Sequence, residues 1–323
     1  MYDAFYGLSA LPFLLTPDPR FFFGSDGHRR AMSHLVYGLA QQEGFIVITG
    51  EIGAGKTTLI EQTCAQLDRR THVIARIVTT QVSADDLLRL VMAGFGHEAP
   101  GADKATLLCR FEQMARVHRQ QGRRCLLVVD EAQNLPPAAL EELRILSNLA
   151  VEGRASVQTI LLGQPQLRAM LSDAGWEQLR QRVLASFHLG PLSEAETRGY
   201  IEHRLSMVGW CNDPAWEDEA LRSVHRQTGG IPRRINTLAS RVLLQGALDE
   251  VHCITAAMVD GTAEELARDL GAGAMDTDAS AHGGIAAGDL VRRLDLLERQ
   301  VLRQEQAARR VVDLRDVTAT GDT

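Results

Sequence analysis

The chain has 323 residues, of which 45% are hydrophobic and 23% are charged, as in a globular protein large enough for two compact domains. Its formal net charge of -7 argues against a protein whose main task is non-specific nucleic-acid binding, although a local basic face is not excluded. The five cysteines lack metal or C-x-x-C spacing, and the sequence contains no signal-peptide pattern and no apolar stretch of about 18 residues. We therefore expect free thiols, a cytoplasmic location and membrane association only through a partner.

The first 40 residues are predicted to form an extended segment followed by a helix. Pro17 and Pro19 favour an extended path laid over a surface, and apolar residues recur at helical spacing from His28 to Leu39. Two interpretations of the aromatic residues stay open: they pack over the core, or they border a ligand, which the next motif identifies as a nucleotide. These residues are Tyr2, Phe5, Tyr6, Phe13, Phe21, Phe22 and Phe23.

The octapeptide GEIGAGKT at 50–57 lies between an apolar strand pattern at 45–49 and a helical pattern that begins at Thr58. In that context the G-x-x-x-x-G-K-[ST] pattern predicts a phosphate loop, whose glycines let the backbone turn and point its N–H groups at phosphate oxygens. The dipole of the following helix adds positive potential at the same place. The alternative is a glycine-rich turn with an unrelated lysine, which leaves the flanking strand and helix unexplained.

The loop predicts that the phosphates of a nucleotide bind here together with Mg²⁺; the resemblance described below implies that the nucleotide is ATP. Lys56 would reach the β- and γ-phosphates, and the Thr57 hydroxyl would ligate Mg²⁺. In the second interpretation of the N-terminal segment, that segment borders the adenine. The predicted nucleotide contacts of the loop are Gly50, Glu51, Ile52, Gly53, Ala54, Gly55, Lys56, Thr57 and Thr58.

Strand and helix patterns alternate after the loop, which predicts an α/β fold with a parallel sheet. Further strands are predicted at 72–78, 125–129, 157–163 and 186–189, with helices at 83–92, 107–118, 136–149 and 176–183. The run at 125–129 is continuously apolar, as expected of a strand that is buried on both faces.

An acidic pair, Asp130 and Glu131, follows the buried strand at 125–129. Asp130 is placed to support Mg²⁺ beside Thr57, and Glu131 is placed to orient and polarise the attacking water. Phosphoryl transfer depends mainly on such positioning and charge stabilisation. The alternative is a solvated pair of acids that caps a loop, which is the usual fate of an isolated pair.

Gln164 directly follows the strand at 157–163, and ligands of open α/β sheets bind at the carboxyl ends of the strands. It is therefore predicted to touch the γ-phosphate or the water, with hydrogen bonding to loop backbone as the alternative. Arg180 and Arg182 lie near the end of the helix at 176–183. They form either a solvated face or a charge clamp offered to the nucleotide of a neighbouring subunit.

Strand patterns stop beyond Pro191, and the next segment is predicted to be an all-helical second domain at 191–267. Ser193 and Glu196 have the spacing of a capping box, and further helices are predicted at 216–225, 233–248 and 256–266. Arg233 and Arg234 fall in the first turn of a helix, where cations are disfavoured, so at least one is expected to have an anionic partner such as a phosphate. An ordinary first turn with exposed arginines is the alternative.

The end of the chain is predicted to be a linker at 268–287, an amphipathic helix at 288–315 and a disordered tail at 316–323. Leu290, Leu294, Leu297 and Val301 alternate steps of four and three, as in a short coiled coil or a helix that binds a protein partner.

Taken together, the motifs resemble those of an AAA+ ATPase over residues 1 to about 267, and within that class the ExeA/GspA-like secretion ATPases. The sequence is most similar to the subgroup associated with exosortase (XrtA)/PEP-CTERM sorting and exopolysaccharide loci of Gram-negative bacteria. The stretches that carry the resemblance lie at 1–8, 12–13, 16–22, 44–47, 130–135, 162–165 and 230–236.

The resemblance implies a parallel five-stranded P-loop NTPase core at 1–190, flanked by helices and followed by the helical lid. It implies that Gln164 and Arg233 sense the γ-phosphate from the core and the lid, and that Arg182 or Arg180 is an arginine finger. It also implies ring-type assembly, with nucleotide at the subunit interfaces. The chain lacks the transmembrane helix and peptidoglycan-binding module of larger secretion members, so wall binding is not carried over.

Three functions are consistent with these patterns. The first is Mg²⁺-dependent ATP hydrolysis that drives a conformational change in a secretion or exopolysaccharide/exosortase-associated envelope system, with an inner-membrane component as partner. The second is a DNA-associated AAA+ ATPase of the transposition or replication-initiation type, which the acidic charge and the lack of a basic winged-helix pattern disfavour. The third is a nucleotide-dependent interaction switch, against which the intact Glu131 argues.

Overall fold

The computed structural model describes residues 2–16, 18–78, 82–151 and 153–272. The predicted helix at 288–315, the tail and most of the linker lie outside these residues.

A parallel sheet of five strands forms the centre of the larger domain, in the order β2-β3-β6-β1-β7. This confirms the predicted sheet. Two short pairs lie elsewhere: β4 with β5 as an antiparallel hairpin, and β8 with β9 in parallel. The strands are β1 Phe45–Gly50, β2 His72–Ile77, β3 Arg124–Val129, β4 Ala150–Val151, β5 Arg154–Ala155, β6 Gln158–Gly163, β7 Val183–Leu189, β8 Ala215–Trp216 and β9 Cys253–Ile254.

Helices cover both faces of the sheet and continue into a helical domain after β7. They are α1 Tyr2–Phe5, α2 Asp26–Gln41, α3 Lys56–Gln66, α4 Ala84–Gly94, α5 Lys104–Gln120, α6 Pro137–Asn148, α7 Pro165–Ser172, α8 Glu177–Arg180, α9 Glu194–Ser206, α10 Asp218–Thr228, α11 Pro232–Leu248 and α12 Ala256–Ala272.

The alternation of side chains along β1 explains why both faces are covered. Phe45 and Val47 point into a cluster with α4, α5, α6 and α7, whereas Ile46 and Ile48 pack with α2 and α3 on the other face. Because β1 is buried on both faces, its sequence is a continuous apolar run and does not alternate between apolar and polar residues. The carboxyl end of β1 delivers the phosphate loop between these two layers.

Polar caps fix where the helices begin. Ser25 caps α2 and Ser83 caps α4, each accepting a hydrogen bond from a backbone N–H of the first turn. Ser193 and Glu196 form the predicted capping box at α9 in both directions, which confirms that prediction.

The predicted helix at 176–183 is wrong in its extent. A 3₁₀ turn covers Ala174–Trp176, α8 has only 4 residues, and β7 already begins at Val183 instead of at position 186. The cause is tertiary: Val183 pairs with Phe45 of β1, so the sheet takes up residues whose local pattern continues a helix. The helix α7 and the short strands β4, β5, β8 and β9 were not predicted.

Most of the aromatic N-terminal segment packs on the helical domain, whereas Phe22 packs against the cluster that α2, α3 and the sheet form. Tyr2, Tyr6, Leu8, Phe13 and Phe21 belong to one hydrophobic cluster with side chains of α9, α10 and α11. The packing is supported by hydrogen bonds from the Tyr6 hydroxyl to the Val251 carbonyl at 3.0 Å and from the Ser9 backbone to the Val208 carbonyl at 2.9 Å. The segment was predicted to belong to the core domain; its aromatic side chains other than Phe22 pack with the lid.

Helix α12 also extends further than predicted. Residues 268–272, which we assigned to the linker, continue α12 to Ala272. Among the residues that the structure describes, no helix is long and apolar enough to cross a membrane.

Candidate nucleotide site

A cavity of about 350 Å³ lies where the phosphate loop, the N-terminal segment and the helical domain meet. The core contributes His28, Ile52, Gly53, Gly55, Lys56, Thr57, Thr58 and Glu131 to its lining. The N-terminal segment contributes Leu14, Leu15, Thr16, Asp18, Phe21, Phe22 and Phe23. The helical domain contributes Leu192, Tyr200, Arg204, Pro232, Arg233 and Asn236. Most of the predicted loop contacts therefore face one cavity, together with Glu131 and Arg233.

The phosphate loop has the expected path between β1 and α3. Gly53 and Gly55 have φ values of +80° and +96°, which residues with a side chain rarely adopt. The buried Lys56 folds its amine back over the loop, where Nζ donates to the carbonyls of Gly50 at 2.8 Å and Glu51 at 2.9 Å. Burial lowers the pKa of Lys56, and the neighbouring carboxylates of Glu131, Asp130 and Glu51 oppose that shift.

Thr57 and Asp130 meet as predicted for a metal-binding pair. The Thr57 hydroxyl donates to Asp130 Oδ2 at 2.8 Å, and Asp130 Oδ1 accepts the backbone N–H of Glu131 at 2.9 Å. A hydroxyl and a carboxylate are oxygen donors of the kind that Mg²⁺ uses together with substrate phosphates and water. The donor set therefore fits the implied Mg²⁺, with the remaining ligands to come from phosphate and solvent.

Glu131 is held by two side-chain amides. Its Oε2 accepts hydrogen bonds from Gln133 Nε2 at 2.5 Å and from Gln164 Nε2 at 3.0 Å. Gln133 Oε1 in turn accepts the backbone N–H of Gln164 at 3.0 Å, so the three residues form a closed network. The structure thus brings the predicted Gln164 to Glu131, and it adds Gln133 as a residue that the sequence reasoning did not single out.

Arg233 carries the helical domain onto the phosphate loop. Its backbone N–H donates to the Gly53 carbonyl at 3.2 Å, at the beginning of α11. A Cβ on Gly53 would lie 2.3 Å from Arg233 Cβ, so only glycine allows this approach. Arg233 lines the cavity as predicted, and its role as a sensor stays a prediction.

Arg180 and Arg182 lie away from the cavity of their own chain. The Arg182 carbonyl accepts the N–H of Phe45, at the end of β1 opposite to the phosphate loop. The side chain of Arg182 donates to the Ser147 carbonyl at 3.3 Å, and that of Arg180 to the Ser172 carbonyl at 3.1 Å. Within the described part of the chain neither lines the cavity, so a role as arginine finger requires the nucleotide of another subunit.

The far wall of the cavity combines the aromatic segment with a buried cation. Arg204 is only 4% exposed and lies over the ring of Phe21 at 4.9 Å and that of Tyr200 at 5.5 Å. The Tyr200 hydroxyl accepts from Arg204 and donates to Asn236 Oδ1 at 2.8 Å. Both interpretations of the N-terminal segment therefore have a basis, since Phe22 packs against the sheet cluster, and Phe21, Phe22 and Phe23 line the cavity.

Comparison with known proteins agrees with this geometry. The family model described as AAA domain matches residues 39–171, from the end of α2 through α7. The fold is that of an AAA+ P-loop NTPase. Solved structures share it: the ORC2 protein of Aeropyrum pernix (TM-score 0.55, 18% identity, 74% of this chain and 66% of that one) and Cdc6p of Pyrobaculum aerophilum (TM-score 0.60, 14% identity, 81% and 70%). At these identities the likeness concerns the fold alone.

A sequence relative covers both the AAA+ core and the helical domain. Over 248 residues, which are 76% of this chain, the sequence is 39% identical to the general secretion pathway protein A of Aeromonas hydrophila. The match spans 44% of the length of that relative. The predicted likeness to GspA-type proteins is thus supported, whereas the exosortase-associated subgroup rests on the sequence resemblance.

Proposed function

We propose that the chain is a Mg²⁺-dependent ATPase. The observation that carries the proposal is the arrangement at the carboxyl end of the sheet, where Thr57 contacts Asp130 and Glu131 is held by Gln164. A protein that only binds nucleotide needs the loop and its lysine. A carboxylate that is oriented by two amides beside the loop is the additional element that water activation requires.

In this mechanism the loop N–H groups and Lys56 hold the phosphates, and Thr57 and Asp130 hold Mg²⁺. The metal, when bound, neutralises phosphate charge. The Glu131 carboxylate accepts a hydrogen bond from the attacking water and polarises it, while Gln133 and Gln164 fix the direction in which the carboxylate points. Arg233, from the lid, contributes positive charge to the same cavity and links the phosphate state to the position of α11.

The active unit in this proposal is an oligomer. Arg182 or Arg180 supplies the arginine finger to the nucleotide of a neighbouring subunit, because both residues lie at the edge of the sheet remote from their own phosphate loop. Ring-type assembly of this kind is supported by the resemblance to AAA+ ATPases.

The biological role that we propose is work on a protein partner in an envelope system for secretion or exopolysaccharide assembly. The similarity to a general secretion pathway protein supports this role. The finer assignment to an exosortase/PEP-CTERM system, the cytoplasmic location, the inner-membrane partner and contact through the helix predicted at 288–315 rest on the sequence resemblance.

The proposal is tested by steady-state ATP hydrolysis with Mg²⁺ in the wild type and in Glu131→Gln. We expect the variant to lose about 10²-fold or more in kcat and to keep nucleotide binding, because only the water-activating carboxylate changes. Glu112→Gln is the matched control, since Glu112 makes an exposed ion pair on α5. Wild-type turnover no faster than that of Glu131→Gln would leave the interaction switch as the better description.

The DNA-associated alternative predicts a different response. Duplex DNA should then stimulate hydrolysis, and moderate salt should abolish the stimulation because phosphate contacts are salt-sensitive. With a formal net charge of -7, we expect no stimulation.

A further inference from the structure

His28 is a buried polar side chain in the cavity wall that none of the predicted roles uses. It lies in the first turn of α2, three residues after the cap residue Ser25, and is only 6% exposed. Its ring meets the edge of Phe22 with a centroid separation of 5.6 Å and an interplanar angle of 90°. The helix cap and this aromatic neighbour fix the direction of the imidazole.

The hydrogen bonds of Ser25 determine which ring nitrogen carries the proton. Ser25 Oγ accepts the backbone N–H of His28 at 3.2 Å and lies 2.7 Å from His28 Nδ1. If Nδ1 were the donor, the Ser25 hydroxyl would accept twice and its own hydrogen would be left without an acceptor in a buried position. The hydroxyl therefore donates to Nδ1, which leaves the proton of the neutral imidazole on Nε2.

The Nε2 atom faces the phosphate loop. A Cβ on Gly55 would lie 2.8 Å from His28 Nε2, and Gly55 has a φ of +96°. Among the residues that the structure describes, Nε2 makes no hydrogen bond, since the ring is bonded only through Nδ1 to Ser25, and the ring lines the same cavity as Thr58. A donor that faces a cavity and has no protein partner is free to bond an oxygen of a ligand or of solvent there.

The imidazole is neutral when it faces the loop. Burial lowers the pKa of His28 to about 4, and the carboxylate of Glu196 only partly opposes this effect. The ring therefore offers a neutral N–H near pH 7 and adds no positive charge beside Lys56.

We propose that His28 is a nucleotide-binding residue whose Nε2–H donates a hydrogen bond to an oxygen of a bound nucleoside polyphosphate. The inference rests on the proposed function, since it takes the ligand of the loop to be a nucleotide. Lys56 reaches the terminal phosphates, whereas loop N–H groups such as those near Gly55 hold the inner ones. His28 therefore contacts the part of the ligand where the phosphate chain approaches the ribose, which ADP and ATP share.

A contact of His28 at this part of the nucleotide affects binding and leaves the hydrolysis step unaffected. A contact that is the same before and after loss of the γ-phosphate lowers the Kd for ADP and the KM for ATP by equal factors and leaves kcat unchanged. His28 is thus distinguished from Glu131, which acts on kcat.

The test compares His28→Phe, which keeps a ring but removes the donor, with His28→Gln, which keeps a donor at similar reach. We expect His28→Phe to raise the Kd for ADP, measured by calorimetry, and the KM for ATP by about tenfold each, and His28→Gln to stay within about threefold of the wild type. In both variants kcat should remain within about twofold. His34→Phe is the matched control, because His34 is exposed on the same helix.

An unchanged Kd for ADP in His28→Phe, or a loss confined to kcat, would overturn the inference. If the wild type binds ADP but does not hydrolyse ATP, the proposed function fails while the Kd comparison still decides the role of His28. Should His28→Phe not fold, nuclear magnetic resonance of histidine-labelled wild type gives the answer. The His28 ring, assigned with His28→Gln, should carry its proton on Nε2 and shift that signal on addition of ADP; a proton on Nδ1 or an unmoved signal counts against the proposal.

Discussion

At the scale of single residues, the site depends on amides that orient a carboxylate. Glu131 has a φ of +52°, a left-handed conformation that sends the chain into the 3₁₀ turn Ala132–Asn134. That turn brings Gln133 back beside Glu131, where it donates to the carboxylate and accepts from Gln164. Gln133 therefore positions both residues at once.

We expect Gln133→Ala to lower kcat by about tenfold or more and to leave the Kd for ADP unchanged, because the variant frees the Glu131 carboxylate without touching the loop. Hydrolysis and calorimetry on the same preparation measure the two quantities. Gln120→Ala, at an exposed position on α5, is the control. Equal rates in Gln133→Ala and the wild type would show that Gln164 alone suffices to orient the carboxylate.

The sequence predicted the residues that belong to a contiguous motif and missed those that depend on the fold around it. Lys56, Thr57, Asp130 and Gln164 follow strands, and the carboxyl ends of parallel strands meet at one edge of the sheet. The role of Gln133 depends on the left-handed backbone at Glu131. No sequence spacing predicts this conformation. The presence of a side-chain amide, that of Gln133, two residues after Glu131 is the one signal in the sequence that points to its role.

At the scale of elements, a close contact between α11 and the phosphate loop links the two domains. The first turn of α11 approaches Gly53 so closely that a side chain at position 53 would overlap with Arg233. Any shift of the loop on nucleotide binding would therefore act first on Arg233 and on the helix behind it.

Gly53→Ala should destabilise the protein by about 1–3 kcal/mol more than Gly96→Ala does, since overpacking adds to backbone strain only at the first position. Both glycines have positive φ, +80° and +83°, but a Cβ on Gly96 would meet nothing within 4 Å. Urea unfolding of the two variants without nucleotide measures the difference. Equal losses of unfolding free energy in Gly53→Ala and Gly96→Ala would mean that α11 moves away from the added methyl group at no cost.

The elements that sequence patterns predicted well are those buried on both sides or capped by a polar residue. The strands around β1 and the helix that begins after Ser193 fall into these classes. The prediction for the segment at 176–183 was wrong because its structure depends on a partner distant in sequence: Val183 pairs with Phe45 at the edge of β1. The pairs β4–β5 and β8–β9 escaped prediction because strands of 2 residues carry no periodicity.

At the scale of the whole molecule, the position of Arg180 and Arg182 makes a prediction about assembly. Arg182 lies at the opposite end of β1 from the phosphate loop, and Arg180 lies two residues before it, so in the proposed assembly the site of one chain is completed by an arginine of another. Arg182→Ala and Lys56→Ala should each abolish hydrolysis alone, because the first lacks the finger and the second lacks the phosphate contact.

Mixing the two inactive variants in equal amounts should restore about one quarter of the wild-type rate, since half of the subunits keep the loop and half of their neighbours keep the finger. The same mixture is made with Arg180→Ala, and Arg116→Ala, at an exposed position on α5, is the control. If neither arginine variant loses activity, the finger lies elsewhere. If both lose it and neither mixture recovers, the arginine acts within its own chain.

The path of the N-terminal segment has a consequence for the order of folding during synthesis. The Tyr2 hydroxyl bonds to Ser240 and the Tyr6 hydroxyl to the Val251 carbonyl, across 238 and 245 positions of the chain. The aromatic residues that are synthesised first can therefore pack only after α11 and the residues that follow it have been made. The sheet domain, which lies between them in the sequence, can fold earlier on its own contacts. Because the cavity takes its walls from all three regions, the nascent chain acquires a complete nucleotide pocket only after α11 has been translated.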